Sequence, residues 1–366
     1  MSAPVPNPGI LDIHAYVGGE AHAPGASRLI RLASNEGALG PSPKAVAAYN
    51  AVAGQIHRYP DGGSKALRAG LGRRFGLDAE RIVCGNGSDD VLQLLTRAYA
   101  GTGDEVLHTV HGFAIYPISA RFAGATPVAA PETNLKTDVD ALLARVTPRT
   151  RVVFIANPNN PTGSYLNKDE LRRLHAGLPE NVLLVIDAAY AEYVDAPDYT
   201  DGSDMVDEFS NVVMTRTFSK IFALGGLRLG WAYCPAAVAD VLNRVRGPFN
   251  VASSAQAAGL AALEDVEFLE KSRRHNAQVR EWFAGQVREL GLVVHPSVAN
   301  FVLISFAEQK GDRANAEGAR LLLKSRGILV RQVGSYGLPH CLRVTIGLED
   351  EMREVVAGLA DWVAGK

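Results

Sequence analysis

At 366 residues and a net charge of −2, the chain exceeds the roughly 250–300 residues over which one hydrophobic core keeps growing, so two lobes with a cleft between them are expected. Hydrophobic residues at 47% and charged residues at 21% exclude a disordered chain. Charges of both signs are interspersed, leaving no basic stripe for nucleic acid and making small molecules the expected partners. No apolar run approaches the ~20 residues that cross a bilayer, and residues 1–8 have neither the basic region nor the apolar core of a secretion signal. Cys84, Cys234 and Cys341 lie far apart, match no metal-ligand spacing and leave an odd count for disulfides, which points to a reducing cytoplasm.

Proline and glycine punctuate the first forty residues, which predicts an extended arm. It ends at Gly40-Pro41-Ser42-Pro43, where Ser42 is placed to cap a helix whose first turn holds Pro43. Short apolar runs at 81–84, 105–107 and 152–155 then alternate with amphipathic stretches at 89–99, 115–122 and 168–176, the pattern of an α/β fold with a mainly parallel central sheet. The run 182–186 ends at Asp187, and 211–214 leads towards Lys220, so both polar groups fall just past strand ends, where open α/β sheets place ligands. After Asn250, residues 255–263 and 266–290 read as long helices, the second a charged connector. Strands at 298–304, 327–331 and 342–347 with helices at 314–325 and 349–363 predict a smaller α+β lobe.

Lys220 sits in Thr217-Phe218-Ser219-Lys220-Ile221-Phe222-Ala223-Leu224-Gly225-Gly226-Leu227-Arg228. A lysine in such an apolar, glycine-rich stretch loses its proton more readily than a solvated one, and the neutral amine is the form that condenses with a carbonyl. Asp187 reads as a helix cap or as the magnesium carboxylate of a nucleotide hydrolase, but the Gly-x-x-x-x-Gly-Lys-Ser/Thr loop of the latter is absent. With Tyr190 three residues on, the pair can address opposite sides of a pyridine ring. The carboxylate would take the ring nitrogen and keep it protonated as an electron sink, and the phenol would take the ring oxygen. Asn160 lies in Pro158-Asn159-Asn160-Pro161-Thr162-Gly163, which turn chemistry alone explains, although its amide can donate beside Tyr190. Gly85-Asn86-Gly87-Ser88-Asp89-Asp90 follows a strand and opens a helix, so its N–H groups can join Thr217, Ser219 and Arg228 in a phosphate cup. Phe113 reads as core or as a ring-stacking face, and His111, a single histidine with no placed partner, is left unassigned. Gly225 to Gly230 only loosely echoes a dinucleotide fingerprint and opens no βαβ unit. Arg331 and Arg343, in apolar strands, need anionic partners: structural ion pairs, or a substrate phosphate or carboxylate if they face the cleft.

Asn157-Pro-Asn-Asn-Pro-Thr-Gly163, Asp187-Ala-Ala-Tyr190, Thr217-Phe-Ser-Lys220 with Arg228, and Leu342-Arg-Val-Thr-Ile-Gly347 together resemble the fold-type I pyridoxal-phosphate aminotransferases. Ile13-His-Ala-Tyr-Val-Gly-Gly19, Leu32-Ala-Ser-Asn-Glu36 and Arg58-Tyr-Pro-Asp-Gly62 narrow the resemblance, over nearly the whole chain, to the histidinol-phosphate aminotransferase family. The resemblance implies an arm over 1–40 that joins the small lobe and the substrate entrance, a large cofactor-binding domain over 41–264 and a small domain over 265–366. It implies that Lys220 holds pyridoxal 5'-phosphate as an internal aldimine and shuttles a proton. Asp187 would pair with the ring nitrogen, Tyr190 and Asn160 would bind the ring oxygen, and Phe113 would stack on the ring. Ser88, Asp89, Thr217, Ser219 and Arg228 would surround the phosphate. Tyr59 would reach the cofactor of the neighbouring subunit in a homodimer, and Tyr16, Asn160, Arg331 and Arg343 would contact the substrate. The implied reaction is ping-pong transfer from histidinol phosphate to 2-oxoglutarate, giving imidazole-acetol phosphate and glutamate in histidine biosynthesis. One departure is that Gly37 and Ala38 stand where many relatives have a polar residue and proline, near the substrate entrance. An aromatic amino acid (phenylalanine or tyrosine) aminotransferase is therefore the alternative, followed by a decarboxylase of a phosphorylated amino acid and a non-catalytic sensor of the same fold.

Overall fold

Runs such as Val152-Val153-Phe154-Ile155 carry no polar alternation because their strands are covered on both faces. The structure, a computed structural model, describes residues 4–16, 18–20, 22–23, 28–306 and 315–365. Among these the strands are β1 (Ile30–Leu32), β2 (Ile82–Gly85), β3 (Glu105–Thr109), β4 (Thr126–Ala130), a small hairpin of β5 (Glu132–Thr133) and β6 (Lys136–Thr137), β7 (Thr150–Ala156), β8 (Leu183–Asp187), β9 (Val212–Thr217), β10 (Gly230–Tyr233), β11 (Val293–Val294), β12 (Phe301–Ser305), β13 (Ile328–Val333) and β14 (Leu338–Thr345).

The larger sheet has the order β2-β10-β9-β8-β7-β3-β4. Its strands are parallel except β10, which runs antiparallel to both β9 and β2. Alternate residues feed two cores. Val153 and Ile155 join Leu71, Leu171, Leu174 and Ala258 on one face, while Val152 and Phe154 join Val91, Leu95, Tyr116 and Leu242 on the other. The carboxyl ends of β7, β8 and β9 lie side by side, with Ala156 paired to Asp187 and Asp187 to Thr215. Capping fixes the flanking helices: Ser42 accepts from the Lys44 N–H ahead of Pro43–Ala51, and Asn167 and Glu170 form a capping box at Lys168–Ala176.

The smaller sheet has the order β1-β13-β14-β12-β11, antiparallel apart from β1 with β13. Its own core gathers Phe283, Val287, Ile304, Leu323, Val344 and Val355, drawn partly from the long helix Val266–Glu289 and from Ala316–Ser325 and Glu349–Val363. Two differences from the sequence reading stand out. The arm is not merely extended: Ile30 and Leu32 are buried strand residues paired with Ile328 and Val330. β12 begins at Phe301 rather than at 298. Ala314, the expected start of a small-lobe helix, and Val17 of the Ile13-to-Gly19 stretch lie outside the described residues.

On β9, Arg216 faces away from Thr215 and Thr217. Its guanidinium meets Glu192 at 2.8 Å and Asp201 at 3.0 Å and lies 4.1 Å from the Phe75 ring centroid. Arg216→Met leaves the buried Glu192 carboxylate and the partly buried Asp201 without their cation, so it should lower stability by about 3 kcal/mol, read as an earlier urea unfolding midpoint.

Candidate active site

At the carboxyl edge of the larger sheet lies a cavity of about 320 Å³. Residues 33–36 and β14 wall it on the side of the smaller sheet. Tyr16, Ser88, Asp89, Phe113, Asn160, Asp187, Tyr190, Thr217, Ser219, Lys220, Arg228 and Arg343 all line it. Tyr59 and Arg331 do not. Tyr59 is 82% exposed and stacks on Phe249 at 4.6 Å. Arg331 lines a neighbouring chamber whose wall it shares with Tyr16, its guanidinium 5.9 Å from the Tyr16 ring centroid. Arg331 and Arg343 are direct partners across β13 and β14 and so share a face of the smaller sheet.

Lys220 follows β9 in a tight turn, with the Ala223 N–H bonded to Lys220 O at 3.0 Å and Ala223 in a left-handed backbone, φ 54°. Its Nζ donates to Ser34 O at 3.2 Å. Burial first, then the charges of Arg343 and Arg228, brings the amine down to about 8. Gly37 packs beneath this turn: a Cβ there would lie 2.8 Å from Ala223 Cβ and 2.9 Å from Lys220 O. The Gly37 departure thus has a packing reason in this chain, since a side chain would push on the turn that carries the amine.

Asp187 is buried at the end of β8, and burial raises its carboxyl to about 6 despite hydrogen bonds that favour the charged form. Those bonds come from Tyr116 Oη at 2.8 Å and Thr215 Oγ1 at 3.2 Å. Neither residue was found from the sequence. The signal for Tyr116 was its place one helical turn after Phe113, which its ring meets edge-on at 5.9 Å while stacking on Phe154 at 4.7 Å. Tyr190 Oη accepts from Asn35 Nδ2 at 2.9 Å. Asn160 Oδ1 is held by Arg343, whose other terminal nitrogen donates to Ala33 O at 2.7 Å.

The opposite end of the cavity suits a phosphate. Helix Ser88–Tyr99 starts there with no side-chain cap, so the first N–H groups lack intrahelical acceptors. In the preceding loop, Asn86 N–H is taken by Asp90 and Gly87 N–H by Gly85 O, which narrows the expected anion site to the helix end itself. A Cβ at Gly87 would meet Arg228 at 2.6 Å, and one at Gly230 would collide with the Ser88 and Gly87 backbone, so both glycines allow Arg228 and the helix start to pack this closely. Arg228 reaches Gly225 O at 3.0 Å and Ser219 Oγ at 3.4 Å. Asp89 lies 3.5 Å from Arg228. Its carboxylate would repel a phosphate, so its useful group is its N–H. His111 bonds Tyr336 O at 2.6 Å through Nδ1 and links the two sheets' surroundings, a structural role.

An amine of lowered basicity, a buried carboxylate, an uncapped helix end beside an arginine and a buried arginine around one cavity are groups suited to a fold-type I aminotransferase. The aminotransferase class I and II family model matches residues 27–359, and the chain belongs to that family. It is 69% identical over 365 residues, covering 100% of both chains, to histidinol-phosphate aminotransferase of Rhodospirillum centenum. It is 58% identical over 363 residues, 99% of each, to the histidinol-phosphate aminotransferase of Paramagnetospirillum magneticum. The histidinol-phosphate aminotransferase of Sinorhizobium meliloti, solved in complex with pyridoxal-5'-phosphate, superposes with a TM-score of 0.91 at 28% identity, over 100% of this chain and 99% of that one. Among the described residues no helix is long and apolar enough to cross a membrane.

Proposed function

We propose that the chain binds pyridoxal 5'-phosphate at Lys220 and transfers the amino group of L-histidinol phosphate to 2-oxoglutarate, giving imidazole-acetol phosphate and glutamate in histidine biosynthesis. The observation that carries this reading is one cavity lined together by Lys220, Asp187, the exposed Arg228 and the buried Arg343. The names of the relatives above agree with it.

The residues fit the cofactor. The helix end at Ser88 has no capping side chain, Gly87 and Gly230 let Arg228 and the start of that helix approach more closely than a Cβ would allow, and among the described residues Arg343 Nε is buried without a hydrogen-bond partner. When bound, the group supplies an aldehyde for the amine and a ring that withdraws electrons from the reacting carbon. Ser88 and Asp89 N–H, Thr217, Ser219 and Arg228 would hold its phosphate, and Phe113 would cover the ring. Asp187 would hold the proton on the ring nitrogen, while Tyr190 and the free Nδ2 of Asn160 would donate to the ring oxygen. Lys220 would carry the proton between the two reacting carbons. Tyr16, Arg331 and Arg343 would grip the substrate phosphate in one half-reaction and the oxo-acid carboxylates in the other, a ping-pong scheme. In this reading the large domain spans 41–264 and the small one 265–366, with the arm over 1–40 at the entrance, in a cytoplasmic enzyme.

Steady-state turnover with 2-oxoglutarate, comparing histidinol phosphate with phenylalanine and tyrosine, tests the assignment. A higher kcat/KM for either aromatic amino acid would transfer it to that class.

The lowered basicity of Lys220 makes cofactor capture pH-dependent. Below about 8 the neutral fraction of the amine grows tenfold per pH unit, and above it the fraction levels off. Stopped-flow absorbance on mixing cofactor-free protein with pyridoxal phosphate should therefore show a capture rate that climbs and then flattens near that value.

The homodimer is part of the same proposal. Tyr59 and Phe249 stack as an exposed aromatic pair on the single chain, and Tyr59 would reach the phosphate in the neighbouring subunit. Tyr59→Phe should weaken cofactor retention about tenfold, the scale of one lost hydrogen bond to a charged group. Mixing Tyr59→Phe with Lys220→Ala subunits should generate hybrids with one intact site. Activity that does not recover on mixing would count against a shared site.

A further inference from the structure

The proposed machinery leaves Asn35 without a role. Asn35 is 1% exposed and holds a left-handed backbone, φ 57°, which asparagine tolerates better than most residues. Both ends of its amide are engaged: Nδ2 donates to Tyr190 Oη at 2.9 Å, and Oδ1 accepts from Thr345 Oγ1 at 3.1 Å. Thr345 Oγ1 also accepts the Asn35 N–H at 3.0 Å, and Asn300 Nδ2 donates to Asn35 O at 3.0 Å. Thr345 lies two residues beyond Arg343 on β14 and so shares its face of the strand.

We propose that Asn35 is a positioning residue for transamination: by donating to the Tyr190 oxygen it turns the phenol's own proton into the cavity towards the cofactor ring oxygen, and it ties that proton to the strand carrying Arg343. The inference rests on the reading that Lys220 binds pyridoxal phosphate. A phenol has one proton to give. Among the described residues no protein acceptor takes it from Tyr190, while the oxygen's acceptor side is occupied by Asn35. The proton is therefore left for a ligand in the cavity that Tyr190 lines. Burial raises the Tyr190 pKa most strongly, and the Arg343 charge and the Asn35 donor oppose it. Asn35 thus makes the phenol a stronger donor than burial alone would leave.

Substitution separates this role from a structural one. Asn35→Asp preserves size and tolerance of the left-handed backbone but replaces the donor with an acceptor, so the phenol proton turns from the cavity to the carboxylate. Asn35→Gly keeps the backbone geometry and removes the amide. The readout is the pH titration of visible absorbance in cofactor-loaded protein, which reports the proton on the Lys220 nitrogen. A donor at the ring oxygen stabilises that oxygen's negative charge most when the neighbouring nitrogen has lost its proton. Weakening the donor therefore raises the midpoint.

Asn35→Asp should raise the midpoint by about one unit or more, the tenfold scale of a lost hydrogen bond to a charged group. Asn35→Gly should raise it by less, and both should release cofactor faster on dialysis. In a Tyr190→Phe background, Asn35→Gly should add almost nothing to the shift, because its effect passes through the phenol. An Asn35→Asp midpoint equal to wild type would overturn the inference, and so would an Asn35→Gly shift of the same size with and without the Tyr190 phenol. If Asn35→Gly does not fold, Asn35→Asp alone decides. A wild-type protein that stays colourless and traps nothing at Lys220 with borohydride would remove the proposed function and this inference with it. A coloured wild type beside an unshifted Asn35→Asp removes only the inference.

Discussion

Lys220→Ala should lower turnover by about 10⁴-fold or more, because it removes both the covalent attachment and the proton carrier. Lys220→Arg should fail almost as badly, since a guanidinium stays protonated at working pH and cannot condense with an aldehyde. The loss should not come from unfolding. The folded state pushes the Lys220 pKa from 10.5 down to about 8, so it binds this proton less tightly than the unfolded chain does. The group's contribution to stability is thus lowest below about 8 and recovers as pH rises towards its ordinary value. Replacing it with alanine at pH 7 removes a half-buried cation near Arg343 and should leave the cofactor-free unfolding midpoint unchanged or higher. Single-turnover absorbance, borohydride trapping followed by peptide mass, and thermal unfolding read these three consequences separately. Retention of turnover within tenfold of wild type would displace Lys220 from the centre of the reaction.

Local signals carried far in this chain. Helices Ile115–Phe122, Lys168–Ala176 and Glu349–Val363 begin and end where periodicity and caps place them. Asp187 was legible because an unbroken apolar run ends on it, and Lys220 because hydroxyls, glycines and Arg228 surround it in one short stretch. What the sequence hid depends on partners distant along the chain. Ile30 and Leu32 look like part of a proline-rich arm, and only pairing with Ile328 and Val330 makes them a strand. Asn35 meets Tyr190 across 155 positions and Thr345 across 310, so neither contact has a spacing to recognise. Tyr116 was nearer to view, but a tyrosine on an apolar helix face is usually core, and its hydroxyl bond to Asp187 is visible only once β8 and that helix are packed together. Arg331 and Arg343 read alike as arginines in apolar strands. The fold separates them, giving Arg343 to the main cavity and Arg331 to the chamber beyond Tyr16.

Asp187→Asn should lower turnover by about 10³-fold, a loss on the scale of removing a principal electrostatic stabiliser of the reacting charge, and should move stability the opposite way. The folded state raises this carboxyl from 3.8 to about 6, so cofactor-free folded protein binds the proton more tightly than the unfolded chain. The stability due to that proton is fully present below about 4 and is lost as pH rises through about 6, leaving a cost of about 3 kcal/mol at neutral pH from a shift of this size. An amide carries no charge to desolvate, so Asp187→Asn should raise the cofactor-free unfolding midpoint at pH 7.5. Cofactor affinity should show the same titration. Wild-type affinity should fall as pH drops below about 6, because a protonated carboxyl no longer pairs with the ring-nitrogen proton, whereas the affinity of Asp187→Asn should be weaker at neutral pH and lack that inflection. Tyr116 and Thr215 supply the hydrogen bonds that hold the carboxyl down, so Tyr116→Phe should shift the wild-type inflection upward. Equilibrium dialysis across this pH range, paired with unfolding of the cofactor-free proteins, measures both signs. If Asp187→Asn were destabilised and inactive together, its loss of turnover would be a folding defect and not the loss of a proton held at the ring nitrogen.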